Sequence, residues 1–216
     1  MKTYLTELQL DALTEMVNIG VNRAAAGLRE MVGEQVHLSV PNVALVSRDQ
    51  AISTLAATEA SSLVGIHQVF DGDVTGRALL IFPDTKSLEL VRAVIGGELT
   101  LEEIIELEHE ALAEIGNIIL NGCLATIANL LQRNLKMSLP EIVRGEPAVF
   151  FNLEPPPEAG DVVMFLYINF AIRERDISGY IAMIMDLPSL TALTHLLDDF
   201  IQRATGQTIQ SLNDPA

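Results

Sequence analysis

Apolar residues recur every three or four positions from about residue 7 to residue 32, which is the spacing of an amphipathic helix. The pattern predicts a helix over this range, with Gly33 as its C-terminal stop. The apolar face, which should point into the core, carries Leu10, Leu13, Val17, Val21, Ala24 and Leu28. A narrow polar stripe lies about 120° or more away. It carries Asp11, Glu15, Asn18 and Asn22.

Short apolar runs separated by turn residues follow, and these are typical of β-strands. We predict strands near residues 36–46, 63–70 and 76–82. Residues 49–58 fit either a short helix or a loop. A second helical pattern over about residues 84–96 closes this part of the chain.

The same order of patterns occurs again about 99 residues further along. With that offset, 11 of the 35 positions from residue 7 to residue 41 are identical, without a gap. The identical pairs include Glu15 with Glu114, Asn18 with Asn117, Asn22 with Asn121, and Pro41 with Pro140. Self-similarity of this kind marks a repeated structural unit, so we interpret the chain as two related halves.

The second half begins near Glu103 with a helix whose polar stripe carries Glu110, Glu114, Asn117 and Asn121. Three prolines at 155–157 predict a rigid loop. Residues 162–172 and 178–185 predict a hairpin that turns at 173–176.

Each half therefore contains a long helix, three strands and a closing helix. We predict an α/β fold of the α+β kind, with one domain over residues 1–204 and a flexible tail over 205–216. Its halves, about 1–98 and 99–204, should be related by a pseudo-two-fold axis. The long helices should lie on the outside of a sheet to which both halves contribute.

Composition limits the choice of partners. The chain has 216 residues, 49% of them apolar, which is enough to bury a sizeable core. Its formal net charge of -16 repels nucleic acid and anionic lipid but not a protein with a basic rim. The densest apolar run, at 162–172, is too short to span a bilayer, so we expect a cytoplasmic protein without membrane insertion. The single cysteine, Cys123, excludes an intramolecular disulfide.

Glu and Asn three positions apart on a helix are neighbours, so each half presents a carboxylate beside a carboxamide. The amide does not titrate, but it donates and accepts hydrogen bonds and can hold a water molecule in a fixed orientation. Hydrolysis of an acyl phosphate depends mainly on a water placed in line and on stabilised phosphoryl charge. The candidate catalytic residues are therefore Glu15, Asn18, Glu114 and Asn117. A solvated helix face is the alternative, and the repeat disfavours it.

The sequence contains no P-loop, no dinucleotide glycine fingerprint and no Cys/His cluster. We therefore predict no metal site and no cofactor of its own. The phosphorylated group, and any metal ion, should come from the partner protein.

The spacing of the site residues resembles the CheC/CheX/FliY family of bacterial chemotaxis phosphatases. The family pattern is Asp or Ser, three residues, Glu, two residues, Asn, then 22 residues and Pro. The first copy matches it fully with Asp11, Glu15, Asn18 and Pro41. The second copy matches with Glu114, Asn117 and Pro140 but has Glu110 in place of Asp or Ser. Two complete motifs in tandem are most similar to the CheC branch.

The resemblance implies a phosphatase that hydrolyses the aspartyl phosphate of a CheY-like receiver domain. It implies that Asn18 or Asn117 orients the attacking water, and that Glu15 or Glu114 contacts the receiver's lysine. Mg²⁺ would reside on the receiver, and a CheD-type deamidase is a second partner that the resemblance implies.

The flanking polar residues Asp11, Glu110, Asn22 and Asn121 are candidates for contacts with the partner. The two asparagines could instead form hydrogen bonds only along or between helices. Pro41 and Pro140 are interpreted as structural, at a strand edge or bulge. The rival function is a non-catalytic binder or scaffold that sequesters a phosphorylated receiver in a chemotaxis or flagellar-switch assembly.

Overall fold

The structure is a computed structural model that describes residues 5–33, 35–58, 62–96, 100–152, 162–172 and 175–206. At strand positions 41, 42, 170, 172, 175 and 176 it describes the backbone alone. The proline loop predicted at 155–157 and residues 207–216 of the predicted tail lie outside the described residues.

The two halves contain the same kinds of element in the same order. The first half comprises α1 (Glu7–Val32), β1 (Val36–Ser47), α2 (Arg48–Thr58), β2 (Leu63–Gly72), β3 (Gly76–Pro83) and α3 (Asp84–Ile95). The second comprises α4 (Leu101–Leu130), β4 (Leu135–Met137), β5 (Glu141–Gly145), α5 (Pro147–Phe151), β6 (Val162–Ile172), β7 (Arg175–Met185) and α6 (Leu187–Thr205).

Most predicted elements are confirmed to within about two residues. Residues 49–58, which fitted either a short helix or a loop, belong to a helix, α2. Three details differ from the sequence pattern. The second half also has a short helix, α5, and β7 begins at Arg175, three residues before the predicted strand. The first strand of the second half is divided into β4 and β5.

Matching capping boxes start the two long helices. The Thr6 hydroxyl accepts a hydrogen bond from the Gln9 N–H, and the Gln9 side chain accepts one from the Thr6 N–H. Thr100 and Glu103 form the same reciprocal pair at the start of α4. These bonds satisfy donors that a helix start leaves free. Gly33 ends α1 in the left-handed conformation, with φ of 72°.

The described strands form one seven-stranded sheet in which every pairing is antiparallel, with the order β1-β6-β7-β3-β2-β4 and β5 also paired to β2. In the repeat, β1 corresponds to β4 with β5, β2 to β6, and β3 to β7. The order is therefore symmetric about the β3–β7 pair, as the predicted pseudo-two-fold requires. Each outer strand pairs with a strand of the opposite half.

Helices cover both faces of this sheet. The four longer helices α1, α3, α4 and α6 pack on one face, around buried residues such as Leu13, Leu90, Leu120 and Leu197. The short helices α2 and α5 cover the other face, around Leu55 and Phe150. The sheet is covered on both sides, and seven of the eight residues of the central strand β3 are buried.

Glycines allow α4 to approach both its neighbours closely. A Cβ atom on Gly20 of α1 would lie 2.9 Å from Cα of Cys123, so the two long helices meet almost backbone to backbone. A Cβ atom on Gly116 of α4 would lie 2.6 Å from Cβ of Ile66 on β2. Close packing at Gly116 fixes the height of the following residue, Asn117, above the sheet.

The two prolines of the repeat occupy matching irregularities in the outer strands. In β1 the register shifts between Ser39 and Asn42, and Pro41 lies inside that shift. In the second half, β4 ends at Met137 and β5 begins at Glu141, so residues 138–140, which include Pro140, interrupt the pairing with β2. Each outer strand gains one residue relative to its neighbour.

Helix α4 is long and apolar enough to cross a membrane by length and composition alone. However, 56% of its most apolar window is buried inside the fold. It therefore packs as a core helix of a soluble protein does.

We expect Gly116→Ala to lower the free energy of unfolding by about 1–2 kcal/mol. The added methyl group would overlap Ile66, and this overpacking should outweigh the higher helix propensity of alanine. Chemical denaturation measures the change. In the matched control Gly27→Ala, a Cβ atom would meet only the Ile118 Cγ2 atom, at 3.1 Å, so stability should stay the same or rise. Equal stability of both variants would contradict the proposed close contact.

Candidate active site

The motif residues of both helices lie at the surface or partly below it. Exposed side chains are those of Asp11, Glu15, Asn22, Glu110 and Glu114. Half-buried side chains are those of Asn18, Asn117 and Asn121. The carboxylates therefore reach solvent, whereas the central asparagines lie lower, against the protein. This arrangement makes both Glu–Asn pairs accessible to a partner.

In the second half, the Asn117 carboxamide is held from two sides. Its Oδ1 atom accepts a hydrogen bond of 2.6 Å from Nδ2 of Asn121, one helical turn further along α4. It also accepts a longer one, of 3.4 Å, from Nε2 of Gln68 on β2. Gln68 is fully buried. Both acceptor positions of the Asn117 oxygen are thereby used.

A backbone carbonyl sets the direction of this amide network. Nε2 of Gln68 also donates a hydrogen bond of 2.9 Å to the carbonyl oxygen of Ser138. A carbonyl oxygen can only accept, so the amide of Gln68 must turn its nitrogen toward Ser138 and Asn117. Asn117 must then present its oxygen to Gln68, which leaves its Nδ2 group without a partner among the described residues. The site therefore offers an N–H donor to whatever binds there.

The Ser138 segment is itself fixed to β2. The Ser138 N–H donates to the Val69 carbonyl at 2.8 Å, and the Ser138 hydroxyl accepts from the Val69 N–H at 2.9 Å. These bonds hold the carbonyl of Ser138 over Gln68. The bulge that contains Pro140 thus supports the site, although it contributes no motif side chain to the amide network.

The first site is built differently. Among the described residues, the Asn18 side chain has no hydrogen-bond partner, and Asn22 does not bond to it. The position that Gly116 occupies in α4 is taken by Val17 in α1, which is fully buried. The two Glu–Asn pairs are therefore the same in sequence but not in their surroundings.

An open cleft of about 740 Å³ adjoins the second site. It is bordered by α1, α3, α4 and the loop between β4 and β5, with Glu114 and Asn117 among its lining residues. Several apolar side chains at its edge are exposed: Ile95, Leu107 and Leu139, the last with 85% of its surface accessible. Exposed apolar side chains around a polar site are typical of a surface that binds another protein.

Glu108 fastens α4 to its neighbours beside this cleft. Its carboxylate accepts a hydrogen bond from the Ser87 hydroxyl of α3 and pairs at 2.7 Å with the guanidinium of Arg144 on β5. Burial alone would raise the pKa of Glu108, but the hydrogen bonds from Arg144 and Ser87 outweigh it and lower the pKa below its ordinary value of 4.5.

Sequence reasoning missed Gln68, because one glutamine inside an apolar strand carries no motif. A buried polar residue in such a strand is nevertheless a signal, since it needs hydrogen-bond partners.

No group of three or more His, Cys, Asp or Glu side chains that could hold a metal ion occurs within the described ranges.

Two curated relatives match about two thirds of the chain at modest identity. The CheY-P phosphatase CheC of Bacillus subtilis is 28% identical over 141 residues, which cover 64% of this chain and 67% of that protein. A CheC1 protein of Halobacterium salinarum is 22% identical over 67% of this chain and 73% of its own length. No family model matches the chain.

Solved structures show the same fold. FliY of Thermotoga maritima superposes with a TM-score of 0.70 at 18% identity, covering 92% of this chain and all of that one. The chain is therefore similar in sequence to CheC proteins and in fold to FliY. The FliM middle domain of H. pylori also shares the fold, with a TM-score of 0.58 at 10% identity over 89% of this chain and 99% of that domain. Because related folds carry different functions, the shared fold does not by itself assign a reaction to this chain.

We expect Glu108→Gln to reduce the free energy of unfolding by about 1 kcal/mol near pH 7, since Arg144 is partly exposed and its ion pair is screened. The pKa of Glu108 is lowered by folding, so its stabilisation is present above about pH 4.5 and is lost as the pH falls through the folded pKa. Denaturant titrations from pH 7 to pH 4 should show the difference from the wild type shrinking below about 4.5. A difference that grows on acidification would contradict this account, and Glu106→Gln, an exposed change on the same helix, serves as the control.

Proposed function

We propose that this protein is a phosphatase that hydrolyses the aspartyl phosphate of a CheY-like receiver domain. The observation that carries the proposal is the duplicated Glu–Asn pair on the equivalent helices α1 and α4. In each pair the carboxylate is exposed and the carboxamide beside it is half-buried. The relative from Bacillus subtilis is a CheY-P phosphatase, which supports the same reaction here.

The carboxamide would orient the attacking water. At the second site, Nδ2 of Asn117 is the free donor, so it would hold a water through the water's oxygen and direct the remaining lone pair toward phosphorus. Phosphoryl transfer of this kind depends on placement and on charge stabilisation, and a positioned reactant supplies much of the rate. The aspartyl C–O–P linkage would then break at the P–O bond and release inorganic phosphate and the free carboxylate.

The exposed carboxylates would contact the partner. Glu15 and Glu114 are accessible, and an exposed carboxylate forms a charge-assisted hydrogen bond with a lysine ammonium group. We propose that this lysine belongs to the receiver's own active site. Mg²⁺, which would neutralise phosphoryl charge, would be bound by the receiver. By the same resemblance we propose a cytoplasmic location and a CheD-type deamidase as a second partner.

A non-catalytic binder of the phosphorylated receiver is the second candidate. The fold it shares with the FliM middle domain is compatible with that function. The hydrogen-bonded Asn117 carboxamide, with its N–H group left free, favours the phosphatase, because a binder needs no group placed for a water.

We expect the double variant Asn18→Ala/Asn117→Ala to release phosphate from a phosphorylated CheY-like receiver no faster than the receiver does alone. The loss should be about a hundredfold or more, as for other positioned hydrogen-bond donors in active sites. Phosphate release is measured with catalytic amounts of the protein. Each single variant should keep the activity of the remaining site.

Asn129→Ala is the matched control, because Asn129 is an exposed asparagine on α4 outside the motif stripe. It should retain full activity. Undiminished release by the double variant would exclude the proposed mechanism. Stoichiometric protection of the phosphoryl group by the wild type would instead establish the binder.

We expect Leu139→Ala, made in the Asn18→Ala background, to raise KM about tenfold with little change in kcat. Leu139 is exposed at the edge of the cleft, so its removal should weaken docking without affecting the fold. Val149→Ala, an exposed apolar residue on α5 at the opposite face of the sheet, is the control. A fall in kcat at unchanged KM would argue against a docking function for Leu139.

A further inference from the structure

Gln68 is a buried polar side chain that the two motifs do not include. It has no exposed surface, and its Oε1 atom has no hydrogen-bond partner within the described residues. Leaving a buried acceptor unpaired costs free energy, so a glutamine at this position is unfavourable for stability alone. Its Nε2 group nevertheless makes two contacts, to the carbonyl oxygen of Ser138 and to Oδ1 of Asn117.

The strand registers identify the residue that takes its place at the first site. In the second half, Met137 pairs with Phe70 and Glu141 with His67, so the bulge lies opposite Gln68 and Val69. In the first half, Ser39 pairs with Asn169 and Asn42 with Tyr167, so the matching bulge lies opposite Ile168. Ile168 is fully buried and can donate no side-chain hydrogen bond.

The motif helices differ between the two halves as well, at the residue next to the central asparagine. Gly116, next to Asn117, allows α4 to pack directly onto Ile66 of β2, two residues before Gln68. The equivalent residue of α1 is Val17, whose side chain fills the corresponding space. A glycine in the helix and a glutamine in the strand thus occur together in one half, and a valine and an isoleucine in the other.

We propose that Gln68 is a positioning residue of the second site. It fixes the carboxamide of Asn117 with the oxygen turned inward and the N–H group turned toward the bound receiver. The proposal rests on the phosphatase function argued above. The first half of the chain, through β2, thereby supplies a functional residue to the motif of the second half.

The test measures each site by itself. Asn18→Ala leaves only the second site, and Asn117→Ala leaves only the first. Adding Gln68→Met to the Asn18→Ala variant should lower kcat for phosphate release about tenfold with KM nearly unchanged, because the carboxamide loses its orientation while docking is retained. Adding it to the Asn117→Ala variant should change neither constant. Ile168→Met, the same kind of change at the equivalent position, should leave the second site unaffected.

Side-chain amide NMR gives a readout independent of catalysis. The Asn117 NH₂ resonances, assigned by their loss in Asn117→Ala, should shift and sharpen in Gln68→Met as the group gains rotational freedom. Unchanged resonances, an unchanged kcat at the second site, or an equal loss at both sites would each overturn the proposal. If the wild type does not accelerate phosphate release at all, the phosphatase function fails, whereas the resonances still decide whether Gln68 holds Asn117.

Discussion

The pairing of each half's outer strand with a strand of the opposite half is the constraint on which the rest of the structure depends. β1 pairs with β6, and β4 and β5 pair with β2, so neither half could complete its part of the sheet by itself. The alternation of buried side chains fixes the register of each strand pair. If a strand slipped by one residue, every buried side chain on it would turn to the other face. Both long helices are placed by this sheet, and with them both Glu–Asn pairs.

This pairing between the halves also explains why the two Glu–Asn pairs have different surroundings. Helix α4 lies over β2 and β3 of the first half as well as β4 and β5 of its own half, so the second site is shaped partly by the sequence of the first half. At the second site, Gly116 permits close packing on Ile66, and Gln68 reaches the carboxamide of Asn117. At the first site, Val17 and Ile168 fill the equivalent positions with apolar atoms. The two halves share the motif spacing but differ in the residues that support it.

Similarity to known proteins and a shared fold do not by themselves assign a reaction. FliY and the FliM middle domain share this architecture at identities below 20%. The surface placement of the Glu–Asn pairs and the direction of the Asn117 amide support the proposed phosphatase function. The strongly acidic surface, with a net charge of -16, favours a partner that offers basic groups, and exposed apolar side chains beside the second site offer contact area to it.

The sequence by itself determined the helices, most strand positions, the repeat and the accessible face of each motif, because these follow from local periodicity and spacing. Thr6 and Thr100 mark the helix starts, and Gly33 marks a stop, through bonds made within one turn. Only the tertiary structure decided the strand order, the covering of the second sheet face by α2 and α5, and the contact of Gln68 with Asn117. Those features join residues far apart in the chain, and no local pattern encodes which distant strand a helix will cover.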